Sequence, residues 1–125
     1  MKRMYQTEWQ GIQFADFAKL STTELASAEF YNAFYRELFR HYGGYDELDV
    51  TWRRNKGELA DWISRRTLTG SRILSVGCGL GYMEHRLHHN HGHNIELHVQ
   101  DYASDALNWL RQELPDERIH LVGGG

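Results

Sequence analysis

The stretch Ile73-Leu74-Ser75-Val76-Gly77-Cys78-Gly79-Leu80-Gly81 constrains what this chain can fold into more than any other. An apolar, β-prone run that ends in glycines at alternate positions reads as a buried parallel strand turning sharply into a helix. Glycine admits the left-handed backbone such a turn needs and brings no Cβ into it. The strand is expected at Arg72–Val76, and the pattern downstream continues the alternation. A short helix is expected over 82–89 with Met83 and Leu87 inward, a strand over 95–100, a helix over 104–114 capped by Ser104, and a strand over 119–122. Strand, helix, strand, helix, strand with right-handed crossovers gives the first half of a Rossmann-like doubly wound parallel sheet.

The first 69 residues read differently. Residues 1–20 are aromatic-rich without a steady period and are expected to form a loop with at most a short helix. Ser21-Thr22-Thr23-Glu24 fits a capping box, which predicts a helix over 22–42. Its stripe of Tyr31, Phe34, Tyr35, Leu38 and Tyr42, widened by Phe30 and Phe39, should be buried, and Gly43-Gly44 should supply a left-handed stop. A second helix is expected from Asp49 or Thr51 to about Arg66, with Trp52, Leu59 and Ile63 inward and the arginines solvated. Gly57 should weaken it slightly. The fold class is therefore α/β: an N-terminal helical cap or lid segment over 1–69, then a partial sheet over 70–125, in one compact domain.

Composition removes several classes of function. A formal net charge of −3 gives no excess of cations to neutralise a polyanion, so nucleic acid is not an expected partner despite the local stretch Arg53, Arg54, Lys56, Arg65, Arg66 and Arg72. No apolar run approaches the roughly 20 residues that cross a bilayer. Cys78 is the single cysteine, so no intrachain disulfide is possible, and the N-terminus lacks the apolar core of a secretory signal, which makes the cytoplasm the expected location.

The chemistry concentrates in the glycine loop. A loop between strand and helix that lets a ligand approach the backbone closely suits a nucleotide-like group. Asp101 closes the next strand about twenty residues on, where a carboxylate can accept hydrogen bonds from both ribose hydroxyls. Dinucleotide sites favour G-x-G-x-x-G, whereas here the third glycine is Gly81 and the next position is Tyr82. Cys78 reads as a small buried residue, not a nucleophile, because no histidine is placed to activate it. His88, His89, His91 and His93 read as a solvated link to the second strand, so no metal site is expected, and His41, His85, His98 and His120 show no partner in the sequence.

Residues 73–81 resemble motif I of the class I methyltransferases that use S-adenosylmethionine (SAM), and the resemblance runs through Asp101 to the strand at Ile119, about residues 70 to 124. It implies SAM as cofactor, with Gly77, Cys78, Gly79 and Gly81 along its methionine and ribose portion, Asp101 on the ribose, and Tyr102 and Ala103 beside the adenine. It implies methyl transfer by the parent protein to a small molecule, glycan or other metabolite, with Tyr31, Tyr35, Trp52 and Arg53 as candidate contacts and no catalytic residue assigned. The acid the family often carries after the third strand is replaced by Gly123-Gly124-Gly125. Two other readings remain: a non-catalytic SAM-binding or interaction module, and a NAD-binding domain, which Tyr82 disfavours. Because the chain stops after the third strand, it is expected to be a truncated piece of a longer protein. Its first strand would keep a free edge, which favours a homodimer, a strand swap or shielding by the N-terminal helices.

Overall fold

A computed structural model describes residues 7–17 and 27–121. Three parallel strands form the sheet: β3 (Arg72–Val76), β4 (Glu96–Asp101) and β5 (Ile119–Leu121), in the order β3-β4-β5. In register, Ile73 faces Leu97, Val76 faces Gln100 and Asp101 faces Leu121. The crossover from β3 to β4 is the helix α3 (Tyr82–His91), as the sequence predicts. Strand alternation sends Leu97 and Val99 into the protein, where they meet Leu87 of α3 and Leu107, Leu110 and Leu114. Each fully buried leucine contributes about 1.5–3 kcal/mol of hydrophobic stabilisation.

The second crossover departs from expectation. Residues 104–114 do not form one helix capped by Ser104 but short 3-10 turns, Ser104–Leu107 and Leu110–Gln112. Side chains from other elements hold the backbone where the segment begins. Asp101 Oδ1 accepts from Ala103 N at 2.9 Å, and Asn32 Oδ1 accepts from Asp105 N at 3.0 Å. Asp105 and Asn108, both weak helix formers, lie within the stretch.

The N-terminal part is built on aromatic rings. A hairpin, β1 (Glu8–Trp9) and β2 (Ile12–Gln13), occupies what the sequence reads as loop. Its two-residue turn places Gln10 and Gly11 at φ of 53° and 78°, the positive values a primed hairpin turn requires. Gln10 is held there by Tyr42, whose hydroxyl donates to its carbonyl at 2.6 Å, and by Asp49 N donating to its Oε1 at 3.0 Å. Helix α1 (Ala28–His41) starts later than the 22–42 expected, at Ser27, whose hydroxyl accepts from Phe30 N at 3.1 Å. The capping box at Ser21–Glu24 lies outside the described residues. Phe30, Phe34 and Leu38 are buried, as the stripe predicts, against Ile12, Phe14, Leu80 and Trp109. The left-handed stop at Gly43-Gly44 is not formed: Tyr42 is extended, and Gly43 N donates to the Glu47 carboxylate instead.

Helix α2 (Val50–Ser64) is capped by Asp49, which accepts from Trp52 N at 2.8 Å. Leu59, expected inward, is exposed, and the buried positions are Gly57 and Ala60. The small residues let α3 approach, so that the Arg86 guanidinium lies across Gly57, 3.6 Å from where a Cβ would sit, and reaches Asp61 at 3.3 Å. Among the described residues the sheet is covered on one face only. On the other, Leu74 and Val76 are 59% and 72% exposed, so β3 is half-open where a strand buried on both faces was expected.

Candidate functional site

The glycine loop joins the end of β3 to α3, and three of its residues, Gly77, Gly79 and Gly81, have φ of 66°, 58° and 82°. At Gly81 the reason is packing. A Cβ there would lie 2.2 Å from Leu110 Cδ1, so glycine lets the start of α3 close onto the second crossover. At Gly77 nothing lies within 4 Å of that position, and the backbone faces open space.

The loop's amides are held from β4. Gly77 N donates to Gln100 Oε1 and Cys78 N to Gln100 O, each at 3.1 Å, and Gly79 N donates to Asp101 Oδ2 at 2.8 Å. Gly81 N donates to Cys78 O at 3.1 Å. Asp101, buried at 6% exposure, therefore spans two segments, one oxygen on Gly79 and the other on Ala103. The sequence places it beside a ligand, and the structure brings it into register with the loop, where it also organises the backbone. Ala103 is buried beside it, and Tyr102 is partly exposed, with its ring edge-on to Tyr31 at 5.8 Å.

A cleft of about 400 Å³ opens along the loop, lined by Gly77–Gly81, Ser75, Tyr35, Trp9, Trp52, Lys56 and Glu84. Tyr35 and Trp52, two of the N-terminal candidates, are thus brought to the glycines, and the Tyr35 hydroxyl lies 3.0 Å from the Cβ position of Gly79. Arg53 is not: its Nε donates to Leu48 O at 3.0 Å. Asp101, Tyr102 and Ala103 do not line this cleft.

Burial sets the charge states. It pushes the Cys78 thiol up to about 12, helped by the charges of Glu84 and Asp101, so Cys78 stays a thiol at neutral pH. Burial likewise raises Tyr35, reinforced by Asp101. Glu84, in the first turn of α3 and 3% exposed, is the site residue the sequence reading missed. Burial raises its carboxyl to about 7, against the lowering pull of a Ser75 hydrogen bond and the Lys56 charge. An acid three residues after the last glycine was the available signal, but nothing in the sequence distinguishes a buried glutamate from a solvated one.

No protein-family model matches the chain, and no curated protein matches it. Among solved structures it is similar to the crystal structure of Streptomyces venezuelae DesVI, at 25% identity and a TM-score of 0.43, over 73% of this chain and 35% of that one. The chain thus spans about a third of that protein's length. No helix among the described residues is long and apolar enough to cross a membrane.

Proposed function

We propose that the chain is the cofactor-binding portion of a SAM-dependent methyltransferase acting on a small molecule, glycan or other metabolite. The observation that carries this reading is the glycine loop, opening onto a cleft at the carboxyl end of β3 while the Asp101 carboxylate holds its middle glycine. The open space over Gly77 suits a ligand pressed against the backbone. When bound, SAM supplies an electrophilic methyl carbon on a sulfonium. Gly77 and Gly79 would hold its methionine and ribose portion, and Asp101 would act on that portion through Gly79, whose amide it fixes. Tyr102, partly exposed after β4, would border an adenine that extends beyond the cleft. Cys78, kept as a thiol, does not compete for the methyl group.

NAD is disfavoured by Tyr82, which stands where the third glycine of a G-x-G-x-x-G dinucleotide loop would be.

Calorimetric titration with SAM, its demethylated product S-adenosylhomocysteine and NAD tests the reading. SAM and S-adenosylhomocysteine should bind and NAD should not, and Asp101→Asn should weaken both ligands. NAD binding without SAM binding would overturn it.

A further inference from the structure

A second site lies on the α3 side of the sheet, away from the glycine cleft. His85 and His89 are one helical turn apart on α3, and Glu113 reaches them from the end of the Leu110–Gln112 turn. His85 Nδ1 is 2.5 Å from Glu113 Oε1, His89 Nε2 is 3.5 Å from the same oxygen, and one donor atom from each of the three residues lies within 4.8 Å of the other two. The two rings meet edge-on with centroids 4.4 Å apart. His85 Nδ1 has only the Glu113 carboxylate as partner, and Glu113 Oε2 is buried without a hydrogen bond. Buried polar atoms are normally satisfied, so the carboxylate has capacity for a further partner.

We propose that His85, His89 and Glu113 form a binding site for a borderline transition-metal dication, with Zn²⁺ the best match. Two imidazole nitrogens and one carboxylate oxygen are a donor set this ion class takes, leaving a fourth position for water. Donors around a tetrahedral zinc sit about 3.3 Å apart, as bond lengths near 2.0–2.2 Å require. The His89–Glu113 separation already matches, and His85–Glu113 must widen by less than about 1 Å. The His85 side chain is held in place. The His85 ring packs 4.5 Å from Tyr45, whose hydroxyl donates to Leu80 O of the glycine loop at 2.8 Å, and His85 N bonds Gly81 O. An ion there would brace α3 against the second crossover directly behind that loop, while Leu110, one turn from Glu113, packs on Gly81. The pair His98 and His120 is a different arrangement. Nδ1 of His98 faces His120 while its Nε2 faces Glu96, so a single ion cannot meet all three.

The test is calorimetry of the chelator-stripped chain with Zn²⁺, together with thermal unfolding and the visible spectrum of the Co²⁺ form. One ion per chain should bind, raise the melting temperature and give tetrahedral Co²⁺ absorption. Loss of an outer-shell partner alone weakens metal sites by about 10–100-fold, so His89→Ala and Glu113→Gln should each weaken binding at least tenfold. A His88→Ala/His91→Ala variant should bind as the parent does. His89 is the most exposed of the three, so His89→Ala decides the matter even if Glu113→Gln fails to fold. Absence of binding to the parent chain, binding unchanged by His89→Ala, or binding abolished by His88→Ala/His91→Ala overturns the proposal.

Discussion

Gly81 and Gly77 share a left-handed backbone but are needed for different reasons. Alanine at either position carries about 1–2 kcal/mol of backbone strain. At Gly81 the Cβ also meets Leu110 at 2.2 Å, adding about 1–3 kcal/mol of overpacking. Urea denaturation should therefore find Gly81→Ala clearly less stable than Gly77→Ala, while SAM titration should find the larger affinity loss, relative to stability, in Gly77→Ala. Glu84 ties stability to pH. Its carboxyl is raised to about 7 in the fold from the usual 4.5, so the protonated form is favoured in the native state. The penalty is absent below pH 4.5, grows as pH rises towards 7 and is complete above it. At full ionisation it is on the order of 3 kcal/mol. Glu84→Gln should accordingly be more stable than the parent at pH 8 and indistinguishable from it near pH 4, as measured by denaturation at both values. The charge facing Glu84 in this comparison is that of Lys56 of α2.

At the scale of elements, starts and stops were harder to read than interiors. The aromatic stripe of α1 was legible because helical spacing needs only the sequence, and Phe30, Phe34 and Leu38 are buried as it requires. The start of α1 was not, because Ser21 and Ser27 are both residue types that cap a helix. Ser27→Ala should cost about 1 kcal/mol in thermal or denaturant unfolding. The stop at Gly43 failed as an expectation because Tyr42 reaches Gln10 and Glu47 takes the Gly43 amide, both contacts made by folding back. The 104–114 segment runs as short turns, and it carries Asp105 and Asn108, residue types that form helices poorly. Leu59 is exposed where an inward position was expected because α2 packs against α3 through its smallest residues, leaving space for the Arg86 side chain.

For the whole molecule, the one-sided sheet has a physical consequence. Parallel sheets are normally covered on both faces, yet Leu74 and Val76 of β3 are exposed and β3 has no neighbour on its outer edge among the described residues. An open strand with apolar side chains favours association. Sedimentation velocity of the parent chain should show concentration-dependent self-association, and Leu74→Lys/Val76→Lys should remove it without lowering the melting temperature by more than about 1 kcal/mol equivalent, as expected of exposed positions.

The strand-loop-helix unit and its parallel partner were determined by the sequence alone, because alternation, helical spacing and glycine's freedom are local properties of the chain. Only the tertiary structure decided which polar groups converge. Glu84 is buried among cleft residues, Asp101 shares itself between two backbone amides, and His85 and His89 find Glu113 across more than twenty residues. The histidines that stood out as a run were His88, His89, His91 and His93, and only one of them joins the cluster. Proximity in space depends on how α3 lies on the second crossover, and spacing along the chain carries no record of that.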